Sequence, residues 1–231
     1  MKKFLDSPVP NMAARLIILV LGMCFVAFGI ALSRQTLLGS SPISTVPTVL
    51  SFAFPISIGT FTFFMNLIFL LGQIVVLRKD FSPVQLLQLP FLVFFSAAID
   101  MFVGIVASWP FDTYALRLVW IIVSSFAVAL GVYLQSQMRL VMTPGDALVV
   151  SIAAVTKKGF STCKFGFDMS QILLGLVFSL VFSGGLVGIR EGTLIFAALV
   201  GPIIRAYFRL FGNLDRFIPI EGHPTFLPEA K

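Results

Sequence analysis

Two hydroxyl-proline steps, Ser41-Pro42 and Thr143-Pro144, each open an apolar segment, residues 42–54 and 144–156. A hydroxyl placed before a first-turn proline is a helix N-cap signal, and Thr143 with Asp146 three residues on has the spacing of a capping box. Free amides at such a start, with the helix dipole behind them, make an end that binds anions. Ser40, Ser41, Ser44 and Thr45 would add hydroxyl donors at the first start. At the second, Asp146 takes the place that Ser44 holds in the first, so one end is neutral and the other acidic. This inequality suits a solute with distinct ends, or a coupled proton or cation. The plainer alternative is that Asp146 only caps its own helix.

Other polar residues stand inside long apolar runs. Asp100, in Ser96-Ala-Ala-Ile-Asp100, is the charge most clearly embedded, and a carboxyl in that position is a candidate for proton coupling. Asp168, one turn before Gln171, is a second candidate for coupling, with compensation of a helix dipole as the simpler role. Asn66 and Gln73 are seven residues apart and share one helical face, which suits solute contact or hydrogen bonding between helices. His223 has no ligand-like neighbour, and the two cysteines, Cys24 and Cys163, lack disulfide or metal spacing. No zincin, nucleophile-elbow, Walker or Rossmann pattern occurs. The expectation is therefore a protein that is not an enzyme and needs no cofactor.

The elements that must hold these residues follow from composition. The 231 residues are 58% hydrophobic and 11% charged, far from a soluble domain, in which about a quarter of residues are charged. Uncharged intervals bracketed by Arg15 and Arg34, Asp80 and Asp100, Arg117 and Arg139, and Asp168 and Arg190 each have the length of one helical crossing. Pro42, Pro47 and Pro55 break the first half of the interval between Gln35 and Leu77. Six crossings are expected at about 14–33, 57–77, 85–108, 116–137, 167–187 and 192–211. The two proline-headed segments are roughly 20 Å long as helices, short of a hydrocarbon core of about 30 Å, and read as re-entrant half-helices. Extended backbone leading to them at membrane depth needs burial in protein or a wet cavity.

Sliding the chain by 102 residues superimposes Arg15 on Arg117, Gly29 on Gly131, Leu32 on Leu134 and Pro42 on Pro144. A further adjustment of five residues brings Ile58-Gly59 onto Phe165-Gly166. The expected fold is all-α and polytopic, six crossings and two half-helices built as a 3+3 inverted repeat. Residues 1–113 form the first repeat, 114–214 the second, and 215–231 a cytoplasmic tail. With the N-terminus inside, 13 of the 16 basic residues face inward and Arg34, Arg117 and Arg190 face outward, which fixes the expected orientation. The net charge of +6 is then explained by topology, and no basic stripe points to nucleic acid.

Gly22 with Gly29-Ile-Ala-Leu, Leu38-Gly-Ser-Ser-Pro42-Ile-Ser-Thr, Ile58-Gly-Thr60, Thr143-Pro-Gly-Asp-Ala-Leu and Gly192-Thr-Leu with Gly201-Pro202 resemble the YczE/YyaS/YitT group of bacterial integral membrane proteins over residues 12–211. The resemblance implies a multi-pass protein of the bacterial cytoplasmic membrane, with both termini inside, and transfers no catalytic residue. Ser44 stands where that group more typically has an acid. The residues together lead to an expected small transporter with alternating access. Its shell is Ser40, Ser41, Ser44, Asn66, Thr143 and Asp146, and Asp100 and Asp168 are its coupling acids. Its expected partners are the lipid bilayer and a small-molecule or ion substrate, with homo-oligomerisation left open. The alternatives are an ion channel, a membrane scaffold or regulator, and the substrate-capture subunit of an energised transporter.

Overall fold

A computed structural model of the chain describes residues 9–81, 83–138 and 142–212. Arg139, His223, the N-terminal lysines and the tail 215–231 lie outside the described residues. All regular elements among the described residues are helical. They are α1 Val9–Thr36, a 3-10 turn Pro42–Ser44 continuing into α2 Thr45–Ala53, α3 Ile58–Leu77, two 3-10 turns Arg78–Asp80 and Pro83–Leu87, α4 Gln88–Val106, α5 Tyr114–Met138, α6 Pro144–Thr156, α7 Phe160–Ser183 and α8 Glu191–Phe211.

Six of these helices are long and apolar enough to cross a membrane: Met12–Thr36, Ile58–Asp80, Gln85–Val106, Tyr114–Met138, Thr162–Ser183 and Glu191–Phe211. The apolar helices Pro42–Ala53 and Pro144–Thr156 are shorter. Five of the six lie within a few residues of the expected crossings, because bracketing charges and prolines mark their ends. The fifth differs. Expected at 167–187, it runs as helix Phe160–Ser183, since Lys164 and Asp168 pair one turn apart inside it and Gly184 stops it with φ 66°. A charge satisfied by its own helix does not end that helix. Pro47 is tolerated in α2 because it sits in the first turn, where a backbone N–H has no intrahelical partner to lose.

Packing places α1 and α5 at the centre as the most extensive helix pair. Gly29 and Gly131 let the two backbones approach: a Cβ on Gly29 would meet Val128 Cγ2 at 2.5 Å and the Ser124 carbonyl at 2.9 Å. A Cβ on Gly131 would meet Val26 Cγ2 at 2.6 Å and the Gly22 carbonyl. Around this pair the contacts come in matched sets. α1 lies on α4 as α5 lies on α8, and α2 lies on α7 as α6 lies on α3. The contact of α3 with α4 has no counterpart of like extent between α7 and α8. The outer faces stay apolar, with Ile68, Val75, Leu173, Val181 and Leu194 all more than half exposed, as a lipid-facing surface requires.

Candidate functional site

The proline-headed ends of the two short segments meet. Gly145 packs against the side chain of Ile43, and a Cβ there would also meet the Phe69 ring of α3 at 3.4 Å. On the other segment, Thr45 lies against Gly175 of α7. Gly175 is eight residues from the end of α7 and Phe69 is eight from the end of α3, so each tip lies about 12 Å inside a neighbouring long helix.

The hydroxyls of the first tip are largely turned on their own backbone. Ser41 and Ser44 hydrogen-bond to each other through their side chains, Thr45 Oγ1 donates to the Ser41 carbonyl at 3.0 Å, and Thr48 Oγ1 to the Ser44 carbonyl at 2.7 Å. Ser41 is thus the N-cap by position but does not bond a backbone amide through its side chain. Ser40 is fully buried, and its Oγ has no partner among the described residues. The same holds for Oγ1 of Thr193, which faces Gly39 at the start of α8, where Gly192 N–H donates to the Leu38 carbonyl at 2.8 Å.

At the second tip Thr143 Oγ1 donates to Asp146 Oδ2 at 2.9 Å, so the expected capping box is replaced by a bond between its two side chains. The other oxygen, Asp146 Oδ1, lies 3.1 Å from Lys164 Nζ, which also donates to Asp168 Oδ1 at 2.9 Å. Two carboxylates from α6 and α7 thereby share one ammonium, at side-chain exposures of 23–30%. Lys164 is the residue that sequence reading missed. Its signal was the spacing of four to Asp168, which marks a helical ion pair.

Beside the same tip is a cavity of about 30 Å³ lined by Asn66, Gln88, Gln135, Thr143, Met23 and Met142, with Phe91 and Phe95. Gln88 and Gln73 pair amide to amide, and Gln73 Nε2 also donates to the Pro144 carbonyl at 3.0 Å, fastening the tip to α3 and α4. Asn66 Nδ2 donates to the Thr62 carbonyl at 2.9 Å, which leaves its Oδ1 to accept. Gln135 is 8% exposed and its Oε1 has no partner among the described residues. Of the expected shell, then, Asn66 and Thr143 line this cavity and Asp146 adjoins it through Thr143. Ser41 and Ser44 stand across the Ile43–Gly145 contact.

Asp100 is placed elsewhere. Its Oδ2 accepts from Ser57 Oγ at 2.6 Å and its Oδ1 from the Gly59 N–H at 2.8 Å, so it closes the N-terminus of α3 from α4. Gly59 is pressed against the Ser96 carbonyl and Asp100. Gly166, which the sequence alignment of the two halves sets on Gly59, has open space around it among the described residues and lines a groove of about 340 Å³ with Thr156, Lys158, Cys163, Phe167 and Ser170.

Residues 13–209 match the model of a family of unknown function, DUF6198. No curated protein and no solved structure matches the chain.

Proposed function

Since the chain belongs to the DUF6198 family, whose function is unknown, its activity has to be read from its own geometry, and we propose a small membrane transporter working by alternating access. The observation that carries this reading is the contact of Ile43 with Gly145. These two positions are 102 residues apart, the offset at which the two halves of the sequence superimpose. Two equivalent positions in contact lie on the axis relating two copies. The Gly29 and Gly131 seats support the same axis, because Val128, Ser124, Val26 and Gly22 are related by that offset as well. The chain is thus read as a 3+3 inverted repeat with two re-entrant half-helices whose tips meet near mid-bilayer. The solute sits beside the second tip, with Asn66, Thr143 and Asp146 in its shell.

Alternating access further needs two copies able to exchange conformations. Here the copies differ in the required sense: around Gly59 the first is sealed by Asp100 and Ser57, while around Gly166 the second is open. With both termini on the cytoplasmic side of a bacterial inner membrane, this is a state closed outside and open inside. On this reading the chain is also a relative of the YczE/YyaS/YitT group, and Asp168 is the better placed of the two coupling acids because its Lys164 partner reaches the tip.

Single cysteines at Ser44 and Thr143, in a background with Cys24 and Cys163 replaced by alanine, test this. Membrane-impermeant thiol reagents applied from each side should label each position, and locking the groove at Gly166 should shift labelling to the other side. Labelling confined to one side whatever the state of the groove would overturn alternating access.

A further inference from the structure

Within the transport reading, on which this step rests, we infer that the cavity beside the second tip is a site for a monovalent cation of ammonium size. Size comes first: about 30 Å³ exceeds the roughly 10–15 Å³ that a single water needs, so the cavity admits a solute of water size, and ammonium is isosteric with water. The lining chemistry comes second. Gln135 Oε1 is a buried carbonyl oxygen without a partner among the described residues, and Asn66, which gives one N–H to the Thr62 carbonyl, keeps an acceptor oxygen. Phe91, Phe95, Met23 and Met142 bring aromatic rings and thioethers to the lining. Carbonyl oxygens and ring faces replace the water around a weakly hydrated cation. An anion would meet the lone pairs of Gln135 instead.

Charge decides between a cation and a neutral molecule. The described lining residues carry no ionised side chain, but Thr143 joins the cavity to the cluster of Asp146, Lys164 and Asp168, which holds one net negative charge. The dipole of α6 offsets this by about half a charge at its N-terminus, leaving the tip negative. Arg15 of α1, whose guanidinium donates at 2.8 Å to the carbonyl of Met138, one turn beyond Gln135 on α5, is not among the described lining residues.

The test is thermal unfolding of the full chain in detergent with ammonium, sodium or choline chloride at equal ionic strength. Ammonium should raise the midpoint saturably above the other two. Gln135→Leu should abolish that increment, and Gln135→Glu, which supplies a charge and serves if the leucine variant does not fold, should tighten ammonium binding at least tenfold. Equal shifts in the three salts, or an ammonium increment unchanged in Gln135→Glu, would overturn the site. Counterflow of radioactive rubidium against internal ammonium in proteoliposomes separates the two readings. Specific stabilisation without counterflow leaves the cation site standing and removes transport; counterflow without ammonium-specific stabilisation removes the site.

Discussion

Gly29 and Gly131 occupy equivalent seats in the α1–α5 crossing, each pressed on the valine and the backbone carbonyl that the 102-residue offset assigns to it. Neither carbonyl can move without its helix. A methyl group at either glycine should therefore force the central pair apart, and Gly29→Ala and Gly131→Ala should each cost about 1–3 kcal/mol. Gly104→Ala, where a Cβ meets nothing within 4 Å, is the control. Chemical unfolding in detergent measures all three, and a Gly131→Ala protein as stable as the control would refute the close crossing.

Asp100 uses both carboxylate oxygens to hold Ser57 and the Gly59 amide. Asp100→Ala strands that buried N–H and should cost about 1–2 kcal/mol, the scale of a lost cap. Asp100→Asn keeps an acceptor for Gly59 and should cost less. Flux per folded molecule should survive in the asparagine variant; its loss with stability intact would return Asp100 to the coupling role.

Much of the architecture was legible because charge is scarce. Arg15, Arg34 and Arg117 fall within three residues of the ends of long apolar helices, and Pro42 and Pro144 mark the starts of the short ones to the residue. What escaped was whatever depends on a partner distant in sequence. Lys164 read as an inner-face cation until Asp146, on another helix, was seen beside it. Gln88 and Gln135 carry no periodic signal, and only tertiary packing brings them to one cavity with Asn66. The cap hydroxyls of Ser41 and Thr143 had two kinds of partner within reach, and side chains three residues on, at Ser44 and Asp146, took them in place of backbone amides.

The tip contact can be tested by exchange of volume. Gly145→Ala should be tolerated, costing under about 1 kcal/mol, because the atom it meets is the flexible end of Ile43. Gly145→Leu should cost more and impair flux, and Ile43→Ala introduced with it should restore both. Measured as a double-mutant cycle, the pair should show coupling of about 0.5–3 kcal/mol, and strict additivity would mean that the tips do not touch.

Lys164 holds Asp146 of α6 to Asp168 of α7, and removing it leaves two carboxylates facing each other across the helix pair. A surface pair would contribute about 0–1 kcal/mol, while breaking a fully buried one costs about 3–5. With side chains under one-third exposed, Lys164→Met should fall between these limits, at about 1–3 kcal/mol. Asp168→Asn on the Lys164→Met background removes the repulsion and should recover part of the loss. Raising salt should barely change the deficit, because partly buried charges are poorly screened. If Lys164→Met unfolds like the unaltered chain, or its deficit vanishes in molar salt, the cluster is a solvated surface pair and cannot bias the charge of the neighbouring cavity.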